Sequence, residues 1–293
     1  MNSFDGPLVI GYDGAPGGAD ALALGLGWAR QLSVRAVIVT VYPGPAPIGP
    51  GRVDVEWVAD RRREAERLLD EAQTVTSPAT SVEFKAVGSG SASHGLHDVA
   101  EELGASLIVL GSQTERRLLG TSTGERVIAG APCPVAMPPR GWRDRASHDL
   151  SRIVVAFVPT PDGREALRVA AMLALRVGAR LQVVTVVAGP AEVMSYRIGE
   201  DVDRMYVTAA KEAFEHSIEQ AISELAPDVE AFGEVVVGND PVETLAGMAN
   251  SSFDALFMGS REYGPIRRVL LGGVASRLLR RLDIPAVIVP RAG

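Results

Sequence analysis

Apolar and polar positions fall into two alternating rhythms along this chain. Short aliphatic, β-branched runs are followed repeatedly by stretches in which apolar residues return every three or four positions. Leu8–Tyr12 is the first run, read as a short strand. Ala21, Leu24, Trp28 and Leu32 then recur at helical spacing, with Pro16 suited to the first turn. Ala36–Tyr42 (AVIVTVY) is apolar on both faces, as a central parallel strand requires. After a Pro/Gly loop at Pro43–Gly51, a long helix is predicted with Val58, Ala65, Leu69 and Ala72 on one face and Arg61–Arg63 on the other. Val82–Val87 is the third strand. Leu96, Val99, Ala100 and Leu103 mark a third helix and Leu107–Leu110 the fourth strand. Glu125–Ala129 falls in the last helix before the strand Val135–Met137.

The series then starts again. Strands are predicted at Ile153–Phe157, Leu181–Val187, Val235–Val237, Ala255–Met258 and Ala286–Val289. Helices fall at Ala166–Val177, around Phe214, Ile218, Ile222 and Leu225, and at Val242–Ala249 and Val274–Leu282. Pro138–Leu150 (PPRGWRDRASHDL), rich in Pro, Gly and charge, reads as the linker between two homologous domains at 1–140 and 151–293. Strict strand–helix alternation predicts an α/β fold in each: a parallel, doubly wound sheet with right-handed crossovers. Ligands in such sheets sit beyond the carboxyl ends of the strands, where Asp13, Val41 and Gly111 converge.

Composition narrows the chemistry. An apolar content of 46% with 22% charged residues is that of a soluble globular chain. A net charge of −7 argues against a broad nucleic-acid-binding face, which needs clustered cations to replace phosphate counterions. The single cysteine, Cys133, excludes an intrachain disulfide and reads as a buried, inert thiol. No signal peptide or membrane-spanning run is evident, so a cytoplasmic protein without membrane association is expected.

Two related stretches stand out, Leu107–Ser122 (LIVLGSQTERRLLGTS) and Leu256–Gly273 (LFMGSREYGPIRRVLLGG). Each is an apolar run ending on Gly-Ser, then an Arg-containing loop, then Leu-Leu-Gly. Glycines let a backbone approach a ligand closely, and free N–H groups at a loop-to-helix junction attract anions. A P-loop pattern ending Gly-Lys-Ser/Thr is absent, as is Gly-x-Gly-x-x-Gly. His94, His97 and Asp98 share a helical spacing but lack an evident further metal ligand, so a solvated helix start is expected. Gly88–Ser93 and Asn239-Asp240-Pro241 read as helix caps. No Ser–His–Asp set can be assembled, and no catalysis is expected.

Ile10-Gly11-Tyr12-Asp13-Gly14, Thr40-Val41-Tyr42-Pro43, Leu107–Ser112 and Leu118–Val135, with Val183–Val187, Val237–Pro241 and Met258–Pro285, resemble the universal stress protein family, in its tandem, actinobacterial-type form. The resemblance implies two five-stranded parallel domains of strand order 3-2-1-4-5, paired within the chain as a pseudo-dimer, with a homodimer a further expectation. It also implies a stress-response role without catalysis, and ATP with Mg²⁺ as cofactors in the branch that binds nucleotide. That branch carries an Asp that meets adenine after the first strand. Its glycine motif is Gly, two residues, Gly, nine residues, then Gly with Ser or Thr.

Carried over, the first-half site is Asp13, Val41, Leu110, Gly111, Thr114, Gly120, Thr121 and Ser122. Thr114 stands where the second glycine belongs, and the shortened loop brings Gly120 early. Arg116 and Arg117 could add charge. In the second half Glu262 replaces the second glycine, Gly273 the Ser/Thr and Val158 the Asp. A carboxylate beside phosphates repels them, and a valine accepts no hydrogen bond, so that half is expected to be a poor ATP site. A nucleotide-free interaction scaffold is the alternative reading, and a slow ATP hydrolase a third.

Overall fold

The computed structural model describes residues 4–44, 55–76, 81–111, 123–145, 149–189, 200–260 and 273–290. They form two compact units, one running through Asp149 and the other beginning at Leu150.

In the first unit, β1 (Leu8–Gly11), β2 (Ala36–Pro43), β3 (Val82–Ser89), β4 (Leu107–Val109) and β5 (Val135–Met137) are joined through α1 (Pro16–Leu32), α2 (Val55–Thr74), α3 (Ala92–Leu103) and α4 (Thr123–Ile128). The strands lie in the order β3-β2-β1-β4-β5, every neighbouring pair parallel. Leu8, Val9 and Ile10 pair with Ala36, Val37 and Ile38 on one side and with Leu107, Ile108 and Val109 on the other. All these residues are buried. A strand covered by helices on both faces has no polar side to spare, hence the unbroken apolar runs.

The helix ends follow local chemistry. Pro16 opens α1, where its missing N–H is no loss. Ser91 caps α3 by accepting from the His94 N–H, and Gly104, at φ +58°, ends it in the left-handed region. From α1, Ala21, Leu24, Trp28 and Leu32 enter the core.

The second unit repeats the plan with β6 (Arg152–Ala156), β7 (Arg180–Ala188), β8 (Ala231–Gly238), β9 (Ala255–Gly259) and β10 (Ala286–Val289). Its helices are α5 (Pro161–Val177), α6 (Glu200–Ser223), α7 (Pro241–Ser252) and α8 (Gly273–Leu279). The strands lie in the order β8-β7-β6-β9-β10, again all parallel. Thr160 caps α5 and Asp240 caps α7, as the Asn-Asp-Pro signal predicts. Ile218 is buried from α6, while Leu225 lies beyond the helix end and is half-buried.

One segment differs from its sequence reading. Gly141–Arg143, within the expected linker, folds onto α1 as part of the first unit. Trp142 is buried in a short 3₁₀ turn (Trp142–Asp144), and the backbone N–H groups of Gly141 and Arg143 donate to Asp20. Pro, Gly and charge signal irregular backbone, but irregular backbone can still dock where a buried acceptor awaits it.

Candidate functional site at the carboxyl edge of the first sheet

At the carboxyl edge β1 turns away after Gly11, and Asp13 stands exposed on the turn. Its Oδ1 accepts the Ala15 N–H at 3.0 Å, which fixes the carboxylate over the start of α1. The other oxygen, Oδ2, takes part in no hydrogen bond among the described residues and can accept one from a ligand. Behind it, the Thr40 hydroxyl donates to the Tyr12 carbonyl at 2.9 Å and ties the end of β1 to β2. Burial, then the charges of Glu71 and Asp13, push the Tyr12 phenol above its ordinary range, so it stays neutral beside the carboxylate.

Val41 continues β2 past the point where β1 has ended. The Tyr12 N–H donates to the Val39 carbonyl. In a parallel ladder alternate residues turn their backbone groups to the same side, so Val41 aims its own N–H and C=O into the space vacated by β1. Its side chain is held against α3: a Cβ on Gly95 would lie 2.9 Å from it. A fixed carboxylate and a backbone donor–acceptor pair thus lie on the same carboxyl edge of the sheet.

Leu110 is buried and Gly111 follows β4 on the same edge. Gly111 has an immediate structural reason to be glycine. A Cβ there would sit 2.3 Å from the carbonyl carbon and oxygen of Gly17, so the end of β4 touches the first turn of α1. Thr114, Gly120, Thr121 and Ser122, with Arg116 and Arg117, lie outside the described residues. The site is therefore described on its Asp13–Val41–Leu110–Gly111 side.

The equivalent edge of the second unit has the same frame and different chemistry. The Thr185 hydroxyl donates to the Phe157 carbonyl at 2.8 Å, matching Thr40 and Tyr12. Gly259 presses on α5 as Gly111 does on α1, with its would-be Cβ 2.6 Å from the Asp162 carbonyl oxygen. Where Asp13 stands in the first unit, Val158 is 37% exposed and offers no acceptor. Glu262 and Gly272 lie outside the described residues, and Gly273 begins α8. The paired threonines were not singled out in the sequence, although their shared offset of 28 residues from Tyr12 and Phe157 was there to find.

His94 and His97 make structural contacts. His94 Nδ1 lies 3.1 Å from the Ser91 hydroxyl, and His97 Nε2 lies 2.6 Å from the Val127 carbonyl, joining α3 to α4. Among the described residues no group of three or more His, Cys, Asp or Glu could hold a metal ion. Nor is any described helix long and apolar enough to cross a membrane.

The sequence profile of the universal stress protein family matches residues 6–139 and 150–290. The chain belongs to the universal stress protein family. It carries two copies of the family's domain in tandem, and the family's role is in the stress response. A universal stress protein of Mycobacterium tuberculosis is 28% identical over 303 residues, covering 97% of this chain and 99% of that protein. The crystal structure of a universal stress protein from Archaeoglobus fulgidus shares the fold, with a TM-score of 0.70 at 20% identity over 98% of this chain and 99% of that one. A universal stress protein solved in complex with cAMP covers 46% of this chain and 98% of that one, at 21% identity and a TM-score of 0.37.

Proposed function

We propose that this universal stress protein is a non-catalytic stress-response module, cytoplasmic, that takes one adenine nucleotide, ATP with Mg²⁺, at the carboxyl edge of its first unit. The observation that carries this reading is the exposed Asp13 carboxylate, held by Ala15 with one oxygen spare, beside the inward-turned backbone of Val41. Asp13 accepts the amino proton of adenine and Val41 pairs its edge. Leu110, Gly111, Thr114, Gly120, Thr121 and Ser122 complete the cradle for ribose and phosphates. In the second unit Val158 removes the acceptor and Glu262 repels phosphate, so that copy of the site has decayed.

A ligand that binds only the folded state raises the unfolding temperature by mass action. Millimolar ATP with Mg²⁺ is expected to raise the melting temperature of the intact protein, and Asp13→Ala to abolish most of that rise. An unchanged melting temperature in the wild type rejects nucleotide binding.

A second reading, a nucleotide-free scaffold for partner proteins, is favoured by one observation. Gly111, just past β4, and Gly259, at the end of β9, are both demanded by contact with the first turns of α1 and α5, with or without a ligand. On that reading Asp13→Ala changes nothing.

A further inference from the structure

Asp20 lies on the second turn of α1 and is only 2% exposed. A buried carboxylate is unfavourable unless its oxygens are matched by donors. Here every donor comes from the segment after β5. Oδ2 accepts the Gly141 N–H at 3.0 Å, and Oδ1 accepts the Arg143 N–H and the Arg143 Nη1, both at 3.1 Å. The same Nη1 also donates to the Pro16 carbonyl at 3.0 Å. Gly141 turns at φ +74°, where glycine is favoured, and Trp142 is buried. The Arg145 guanidinium lies over the Trp142 ring, 4.8 Å from its centroid. The segment is a strap, fastened at one buried acid.

Glu165, at the position in α5 that Asp20 holds in α1, is answered inside its own helix by Arg168.

The strap's grip falls beside Asp13. Pro16, whose carbonyl Arg143 holds, is three residues beyond Asp13, and the next residue, Gly17, is the one Gly111 rests on. The first turn of a helix has N–H groups without helical partners and frays unless something outside holds it. We propose that Asp20 and Arg143 are positioning residues for Asp13: the strap clamps the first turn of α1, so that the carboxylate is held in place at the sheet edge. For its ligand this inference rests on the nucleotide reading above.

Arg143→Ala in the full chain is the test, because Asp20 then keeps its two backbone donors. Arg143→Lys keeps the charge but replaces the guanidinium, whose Nη1 reaches both Asp20 and Pro16, by an ammonium on a shorter, more flexible stem. Arg168→Ala serves as the matched control in the second unit. Two quantities are read: hydrogen exchange of the Ala15 and Ala19 amides without nucleotide, and ATP affinity by calorimetry well below the melting temperature. Arg143→Ala is expected to speed exchange at both amides at least about fivefold and to weaken ATP about fivefold. Arg143→Lys falls between, and Arg168→Ala moves neither. Should Arg143→Ala fail to fold, Arg143→Lys carries the same two readouts. Unchanged exchange at Ala15 and Ala19 overturns the clamp, and so does unchanged affinity in a protein that binds ATP. If the wild type takes no ATP, the nucleotide reading falls by itself and the exchange rates alone decide the clamp.

Discussion

Cys133 sits between Pro132 and Pro134, just before β5, with 4% of its surface exposed. Burial pushes its thiol from 9.0 up to about 12, against a smaller opposing pull from a backbone hydrogen bond with Ile108. The folded chain therefore holds this proton more tightly than the unfolded chain. Below the unfolded value the thiol makes no difference to stability. As pH rises from about 9 to about 12 the unfolded state ionises first, and stability falls by up to about 1.4 kcal/mol per pH unit. Denaturant midpoints of the wild type and Cys133→Ala, compared below and within that window, isolate the effect. The wild type should lose ground to the variant only within it. The inert thiol was legible from the flanking prolines and the apolar run. Thr40 and Thr185 were not, because a threonine in a β-branched strand is unremarkable until its hydroxyl is placed on a particular carbonyl.

Between elements, the tightest fit is a strand end against a helix start. A methyl on Gly111 meets backbone at 2.3 Å, and one on Gly259 meets backbone at 2.6 Å, so neither neighbour can yield by a rotamer change. Gly111→Ala and Gly259→Ala should each cost about 1–3 kcal/mol in chemical denaturation. If Gly111→Ala were neutral in stability yet abolished ATP binding, the glycine would belong to the ligand rather than to the packing. Most elements were readable to within a few residues, since the period of the apolar positions is set locally. The segment 138–150 was not. Its composition marks irregular backbone, and nothing local announces that Gly141 and Arg143 will meet an aspartate more than a hundred residues earlier.

For the whole chain, two copies of one domain carry one complete recognition edge on the reading proposed here. Calorimetric titration of the intact protein with ATP and Mg²⁺ should then give about one nucleotide per chain. Two per chain would show that Val158 does not disable the second copy. Saturation at about a hundred times the dissociation constant should add about 2.7 kcal/mol of stability. Duplication and the alternation of strand and helix were determined by the sequence alone, because turn residues and hydrophobic period act over a few positions and their repetition is visible without coordinates; the strand order came only with the family resemblance. Tertiary structure decided which distant residues meet. It placed Asp13 with a spare oxygen, pressed Gly111 onto Gly17 and fastened the strap to Asp20. Each of these depends on distances between residues far apart in the chain, which no local pattern encodes.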